Sequence, residues 1–476
     1  MILIPIFLAF FTGLLILRLC NQHKYINIFE QLALGFVSAL SLFVFELFLQ
    51  GIILNHLSLL FPVITFVVCL GLLIYKNNKH KGFVKEIFHH IKLDLHKVKE
   101  QFNGLKIWQK YVVIGITVYV LFKLVMVFSI NLHMPTFDDD AVTGRDLKTK
   151  IFSENKSLVL DKSSPEYLGS ALERNIFAPL TDTYFLLSSK GDINGYTNIA
   201  SALFYFISIL ILFGIFLRKT NLFFATLSGY IFTSLPFVFV HGIGSYWNFP
   251  AGVFLFVFVF YLIDQIFHWE KDYGGNTNIL LPILFVGFIS SVIRNEGVML
   301  TGVALFSITI FYHIFKKGKI RELKYQLLFL SPIVFAYVLN KIILIFYPTG
   351  VALNTGGIQV NSNLFNSFFA NISQSNIFIA PFQQMFYHPD YILLFLLFVI
   401  SLIMFVMKYK KMKNMWLFGL VTIMLLFVFM FTLYANVHML GLLTHFAFIR
   451  YPVSVIPFII YTIVYCIYLN LYNHEY

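Results

Sequence analysis

Long apolar segments recur along the whole 476-residue chain, and they constrain its fold more than any other feature. Many of them continue for roughly 18 to 22 residues, the length that an α-helix needs to cross a hydrocarbon layer about 30 Å thick. Hydrophobic residues make up 59% of the chain and charged residues only 12%. Because the segments are continuously apolar and do not alternate with a period of two, they predict helices and not a β-barrel.

We therefore predict an all-α, polytopic transmembrane bundle with about 13 spans. The predicted spans lie near residues 2–20, 30–52, 57–75, 111–130, 196–217, 222–240, 250–267, 279–293, 297–315, 326–347, 390–407, 415–433 and 452–470. The pair on either side of Arg294–Gly297 is ambiguous, because its first member is short. It forms either a full hairpin or a re-entrant one.

The positive charges predict how the chain is oriented. The net charge is +12, and residues 76–110 alone contain nine lysines against three acids. Smaller basic clusters lie at residues 218–219, 316–324 and 408–413. Cytoplasmic connections carry such an excess of Lys and Arg, so we expect these clusters in the cytoplasm, the N-terminus outside and the C-terminus inside. The same placement favours attraction to anionic lipid and argues against a nucleic-acid partner.

One cytoplasmic connection has the pattern of an amphipathic helix. Between His80 and Phe102, apolar residues recur every three or four positions with lysines between them. Such a helix is expected to lie on the inner leaflet, although docking of a partner protein is an alternative. We expect residues 1–110 to form a three-helix membrane segment plus this helix. Residues 111–476 then form a core with outer loops 131–195 and 348–389, which carry short amphipathic helices.

The first large outer loop concentrates acidic residues. Loop 131–195 holds ten of the chain's 22 Asp and Glu residues, three of them consecutive at Asp138–Asp140. A single Asp would serve as a helix N-cap, whereas adjacent carboxylates repel one another. The three together favour a metal, a sugar hydroxyl or a general-base role. In the amphipathic stretch that follows, we expect Arg145, Lys148 and Lys150 to face outward, away from the membrane.

This loop and later segments resemble, in order along the chain, the GT-C superfamily of integral-membrane glycosyltransferases, which includes protein mannosyltransferases and lipid A aminoarabinose transferases. Similar bacterial proteins have a first outer loop that reads roughly WDAWAIWNLKAK. Asp140-Ala141 and Leu147–Lys150 match it, whereas Val142 and Arg145 stand where that pattern has Trp. The further similar segments are Ser164–Gly169, Ala178–Leu180, Gly244–Pro250, Arg294–Gly297 and Phe448–Pro452.

The resemblance implies a GT-C fold in a bacterial cytoplasmic membrane and transfer of a sugar from a polyprenyl-phosphate donor. The acceptor is a glycan, lipid or protein of the cell envelope. In this family a loop carboxylate deprotonates the acceptor hydroxyl, which attacks the anomeric carbon with inversion while polyprenyl phosphate leaves as a stable anion. The match assigns the base to Asp140, with Asp139 as the alternate. Asp138 is then a helix residue or a ligand of a divalent metal ion.

Cationic and aromatic residues near the predicted outer ends of spans are candidates for binding the donor. The candidates for binding phosphate are Lys148, Lys150, Arg294, Lys341 and Arg450, Glu296 is a candidate for binding another part of the substrate, and the sugar-stacking candidates are Tyr246 and Trp247. Alternatives remain for each. Arg294 could pair with Glu296 in a turn, and Lys341 could extend to the interface. Arg450 and the two aromatic residues could be interfacial anchors. Lys148 and Lys150 could together form one hydrated helix face.

Two other functions fit a polytopic chain with large outer loops. A lipid or polysaccharide transporter would place ionisable residues along a path through the middle of the membrane and show internal repeats. A polysaccharide polymerase or ligase would rely on Arg and His and not on an acidic first loop. The clustering of charges outside favours glycosyl transfer over both.

Overall fold

The computed structural model describes residues 3–76, 83–134, 146–159, 176–188, 198–244, 246–268, 280–294, 297–316, 330–339, 391–407, 413–435 and 451–472, with positions 328, 341, 366, 369, 370 and 389. These residues are almost entirely helical, and they include no β-strand. The all-α prediction is confirmed for this part of the chain.

The helices follow one another with short connections. They are α1 (Leu3–Leu19), α2 (Ile28–Ile53), α3 (Leu60–Lys76), α4 (Phe83–Gly104), α5 (Ile107–His133), α6 (Asp146–Asn155), α7 (Phe177–Leu186), α8 (Ile199–Lys219), α9 (Leu222–Ser234), α10 (Pro236–Ile243), α11 (Asn248–His268), α12 (Leu280–Val292), α13 (Gly297–Lys316), α14 (Leu330–Leu339), α15 (Ile392–Met407), α16 (Lys413–Ala435) and α17 (Ile456–Tyr472). A 3₁₀ turn, Tyr451–Val455, leads into α17.

Within the described ranges, five helical segments are long and apolar enough to cross a membrane: Ile28–Ile53, Ile107–His133, Ile199–Lys219, Asn248–Gln265 and Pro452–Tyr472. Helices α9 and α10 pass the same test together but are bent by 73° at a break, so the number rises to six if they form one span. The remaining apolar helices are shorter. A membrane protein is therefore supported, whereas the count of about 13 spans remains a prediction.

The first two helices pack with their backbones in contact. Gly13 of α1 faces Gly35 of α2, and a Cβ atom added to Gly13 would lie 2.1 Å from the Gly35 carbonyl oxygen. Small residues at such crossings let membrane helices approach closely and gain van der Waals contact. On its other side α2 contacts α7, α8 and α12, so this helix forms the centre of the described bundle.

Helix termini gather at two opposite ends of the bundle. At one end, Lys76 Nζ donates to the carbonyl of Leu19 at 2.8 Å. At the same end, Arg218 at the C-terminus of α8 pairs with Glu30 in the first turn of α2. We call this the basic end, because it holds the termini around these residues and the lysine-rich helix α4.

The opposite end, which we call the loop end, holds the N-terminus of α1 and the helices around α7. The Tyr184 hydroxyl donates to the carbonyl of Pro5 at 2.8 Å. The indole Nε1 of Trp247, just before α11, donates to Asp182 of α7 at 3.1 Å. Helix α5 ends here, directly before segment 135–145. Helix α6, the next described helix, packs against α7 at the same end.

The predicted amphipathic helix is present as α4, but only some of its apolar residues pack against the other helices. Ile91 and Val98 are half-buried, whereas Phe88 is 66% exposed and Leu95 is 53% exposed. The carboxylate of Asp94 lies on the side of α4 that faces the bundle, where its Oδ2 accepts a hydrogen bond from the backbone N–H of Ile28 at 2.8 Å. This bond satisfies one of the N–H groups that a helix N-terminus leaves unpaired, and it fixes α4 across the start of α2.

Candidate functional site

Part of the predicted site lies outside the described residues. Asp138, Asp139, Asp140, Glu296 and Arg450 are all in this group, so their predicted roles remain predictions. The other candidates are described: Lys148, Lys150, Tyr246, Trp247, Arg294 and Lys341.

Lys148 lies on α6, and it is the most unusual of the described candidates. Its side chain is only 1% exposed. Helix α6 packs against α7, where the hydroxyl of Thr149 donates to the carbonyl of Pro179 at 3.3 Å. Phe152, four residues after Lys148 and hence on the same side of the helix, is also fully buried. This packing turns the ammonium of Lys148 into the loop end of the bundle.

The expectation that Lys148 faces outward is therefore wrong. An amphipathic helix lying flat on a membrane would leave its lysines in water, but α6 is covered by α7 and so buries this side. Lys150 is half-buried. The alternative that both lysines form one hydrated helix face fails for the same reason. Sequence periodicity could not reveal this, because it does not show which neighbour covers a ten-residue helix.

Asp182 on α7 is a functional candidate that the sequence analysis missed. It is buried, and its Oδ2 accepts the Trp247 indole N–H. The available signal was an acid inside the otherwise apolar segment Phe177–Leu186, FAPLTDTYFL. A carboxylate buried in this way needs hydrogen-bond donors, and one of them comes from a residue 65 positions later in the chain.

The two candidates for sugar stacking differ in their surroundings. Trp247 is 8% exposed, and its ring meets Phe204 edge-on at 6.2 Å. Tyr246 is half-buried, with its ring 4.7 Å from that of His241. Since the Trp247 ring is largely covered by the bundle, Tyr246 is the better candidate for contact with a sugar face.

The break between α9 and α10 positions His241 beside this pair. Pro236 is the first residue of α10, and His241 Nδ1 lies 2.8 Å from the carbonyl of Phe237 on the same helix. The Asn131 amide, near the end of α5, donates to the carbonyl of Gly242 at 2.9 Å. These contacts hold the last turn of α10 at the loop end.

Arg294 lies in the turn between α12 and α13. The backbone N–H of Gly297 donates to the Arg294 carbonyl at 3.0 Å, and a Cβ atom on Gly297 would lie 2.5 Å from the Ser290 carbonyl oxygen. The turn is therefore tight and requires glycine. Helix α12 has 13 residues, which corresponds to about 20 Å. It is shorter than the hydrocarbon layer, so both the full and the re-entrant hairpin remain open.

Lys341 has a different environment. It is exposed, and its Nζ lies 5.5 Å from the ring of Tyr337, one helical turn earlier. A cation over a tyrosine ring at this distance is weakly stabilised. This contact is local to the helix, so it agrees with the alternative in which Lys341 extends to the interface.

The described residues include no group of three His, Cys, Asp or Glu side chains that could hold a metal ion. Asp138, the predicted metal ligand, lies outside those residues. Binding of a divalent metal ion by Asp138 therefore remains a prediction.

A second buried polar cluster lies at the basic end, and the sequence analysis did not predict it. Arg218 forms a two-bonded pair with Glu30, at 2.7 and 2.9 Å, and its Nη1 contacts Asp264 at 3.0 Å. Lys219 binds Asp264 as well, and the Tyr261 hydroxyl donates to Glu30 at 2.8 Å. Two acids and two bases thus join α2, α8 and α11, which gives the cluster a structural role.

The loop end combines a buried cation, Lys148, a buried carboxylate, Asp182, and a half-buried tyrosine, Tyr246. Such a combination can bind an anion and polar hydroxyl groups in a place shielded from water. No protein-family model matches the chain, and no curated protein or solved structure is significantly similar to it.

Proposed function

We propose that the protein transfers a sugar from a polyprenyl-phosphate donor to a cell-envelope acceptor, with Asp140 as the base that deprotonates the acceptor hydroxyl. Asp139 is the alternate base. The reaction takes place at the loop end and inverts the anomeric carbon. Asp138 is the residue that would bind a divalent metal ion, if the reaction uses one.

The burial of Lys148 is the observation that carries this proposal. Its ammonium lies inside the loop end, eight residues after Asp140. Coulomb attraction between a cation and a phosphate grows as water is excluded, because the effective dielectric constant falls. A buried lysine close to the acidic segment therefore suits a donor whose leaving group is a phosphate. Arg294 supports this assignment, since it lies at the same end.

Tyr246 completes the proposed donor site, because a tyrosine ring covers an apolar sugar face. Asp182 is a positioning residue, since it is 3% exposed and holds Trp247 beside Tyr246 through the indole hydrogen bond. Transfer needs a base and phosphate-binding cations more than a general acid, because polyprenyl phosphate leaves as an anion. The residue types at the loop end meet that requirement.

The membrane arrangement is part of the proposal. We propose a GT-C-like bundle of about 13 spans in a bacterial cytoplasmic membrane, with the basic end in the cytoplasm and the loop end outside. The lysines of α4, together with Lys76 and Lys219, support this orientation through the positive-inside rule. The shorter apolar helices supply the additional crossings.

A transfer assay with purified protein tests the function. The full chain in lipid nanodiscs is incubated with polyprenyl-phosphate sugars and a crude envelope acceptor, and released polyprenyl phosphate is measured. Asp140→Asn is expected to abolish release, and Lys148→Met is expected to lower it at least about tenfold, the effect of losing one charge-assisted hydrogen bond.

The matched control is Glu154→Gln, which neutralises an exposed carboxylate on the same segment. It should leave release unchanged. Equal activity of Asp140→Asn and the wild type would assign the base to another residue. If no donor releases its phosphate with the wild-type protein, glycosyl transfer is wrong.

A further inference from the structure

Lys123 lies within the membrane-length helix α5, far from the basic end. It comes ten residues before the last residue of that helix, so it lies about 15 Å below the end of α5. Its side chain is half-buried. Ionisable residues inside membrane spans are costly and usually mark a ligand or an ion-pair partner.

Aromatic rings surround the ammonium of Lys123. Its Nζ lies 4.3 Å from the ring of Phe239 on α10 and 5.8 Å from the ring of Tyr119 on its own helix. In the described part of the chain, no carboxylate forms an ion pair with it. Among the described residues, this cation is therefore contacted by aromatic rings and not by a carboxylate.

Helix α10 begins beside this lysine, at the 73° break after α9. Its N-cap residue, Leu235, makes no side-chain capping bond, and Pro236 occupies the first turn. An uncapped helix N-terminus attracts anions through its N–H groups and its dipole. The lysine and the start of α10 therefore favour the same kind of ligand.

The Tyr205 hydroxyl is an independent observation that points to a ligand here. Tyr205 is fully buried, and its hydroxyl has no hydrogen-bond partner in the described structure. The ring packs between Phe232, at the end of α9, and Gly242 of α10, and the phenol interacts electrostatically with Tyr119. A buried hydroxyl without a partner costs free energy, which a bound acceptor group would recover.

Lys123 can be reached from the surface of the described helices. Its side chain is half-buried and hence partly exposed, and only 11% of the most apolar window of α5 is buried. A lipid already lies beside such a surface, whereas a water-soluble anion would have to enter the hydrocarbon layer to reach it.

We infer that Lys123, the first turn of α10 and the Tyr205 hydroxyl bind the phosphate group of a membrane lipid. Polyprenyl phosphate and anionic phospholipid share this chemistry. We assign the site to polyprenyl phosphate after its release from the donor, as a second site apart from the donor phosphate at Lys148. That choice of lipid rests on the proposed function, whereas the phosphate site itself does not.

Lipid binding measured by native mass spectrometry tests the site without any activity assay. The purified full chain is titrated separately with polyprenyl phosphate and with phosphatidylglycerol. In Lys123→Met, the dissociation constant for polyprenyl phosphate should rise about tenfold, and in Lys123→Arg it should stay near the wild-type value. Lys110→Met is the matched control, because Lys110 lies on the same helix with its Nζ 5.9 Å from an aromatic ring, that of Phe102.

Tyr205→Phe is a second variant that should fold normally, since it removes only a hydroxyl without a partner. It should weaken phosphate binding about two- to threefold, as expected for one neutral hydrogen bond. If Lys123→Met and Tyr205→Phe bind both lipids as the wild type does, or if Lys110→Met loses binding equally, the site is refuted. Loss of phosphatidylglycerol binding alone keeps the phosphate site but contradicts the polyprenyl assignment. If the wild-type protein binds these lipids but transfers no sugar, the proposed function fails while the phosphate site stands.

Discussion

The buried charges at the basic end are paired with one another. At the basic end, Glu30 and Asp264 share Arg218 and Lys219, so the charges compensate one another. Charges inside a membrane protein are tolerated when they are paired and hydrogen-bonded. Glu30 and Asp264 could be found in the sequence as acids inside apolar segments, but the sequence did not show which basic residues they pair with.

Arg218→Met is expected to destabilise the fold strongly. It leaves two buried carboxylates without their shared cation, and breaking such a pair costs about 3–5 kcal/mol. The free energy of unfolding, measured by denaturant titration in mixed micelles, should fall by that amount. Lys97→Met serves for comparison, because the Lys97–Asp94 pair is 4.0 Å long with a 70% exposed lysine, and it should cost less than about 1 kcal/mol. Equal stability of the two variants would contradict a supporting role for the cluster.

Among the elements, hydropathy predicted most helices of the first 316 residues but not their breaks and faces. The predicted span 222–240 is divided at Leu235, where Pro236 begins α10. Proline is tolerated in the first turn of a helix but disrupts its interior, so the residue that explains the break was present in the sequence. No residue in the sequence of α6 indicated in the same way which side of this helix packs on α7.

Gly13→Ala tests the contact between α1 and α2. The added methyl group would overlap the Gly35 carbonyl, so the helices must separate, at a cost of about 1–3 kcal/mol. The midpoint of thermal unfolding in detergent should fall accordingly. Gly115→Ala on α5 is the matched control, because nothing lies within 4 Å of the position of its Cβ. If both alanine variants have the same midpoint of thermal unfolding as the wild type, the stability of the fold does not depend on this close contact between α1 and α2.

Helix α4 is expected to rest on the membrane surface with Phe88 and Leu95 in the lipid. Lys85, Lys92 and Lys99 lie on the adjacent side of the helix at seven-residue spacing, where they can reach anionic head groups. A nitroxide at Leu95→Cys, after replacement of the three buried native cysteines, should be more accessible to oxygen than to a water-soluble nickel complex. A label at Glu100→Cys, on the other side, should show the reverse, and identical accessibilities would exclude a membrane-bound face.

For the whole molecule, the main feature is the gathering of cations at one end. Lysine-rich α4 and the termini of α1, α3 and α8 share the basic end, whereas α6 and α7 at the loop end carry Asp146 and Asp182 together with Lys148 and Lys150. The predicted topology, with the basic connections and the acidic loop on opposite sides of the membrane, remains a prediction.

Cysteine labelling in intact cells tests that orientation. Glu154→Cys, at the loop end, should react with a membrane-impermeant maleimide added outside, because Glu154 is exposed. Lys97→Cys, at the basic end, should react only after the membrane is permeabilised. The buried native cysteines provide a low background. The opposite labelling pattern would reverse the proposed topology and remove the acidic segment from the outer side.

The sequence alone determined that this chain forms apolar helices, several of them of membrane length, and it predicted a lysine-rich connection on one side of the membrane and an acidic loop on the other. These properties are local, since hydropathy and charge are read within a window of about 20 residues. Only the tertiary structure decided that Lys148 is buried, that Trp247 binds Asp182 and that Arg218 pairs with Glu30, 188 positions away. Such pairs depend on which helix faces meet, and that choice is made by side-chain packing across the whole bundle.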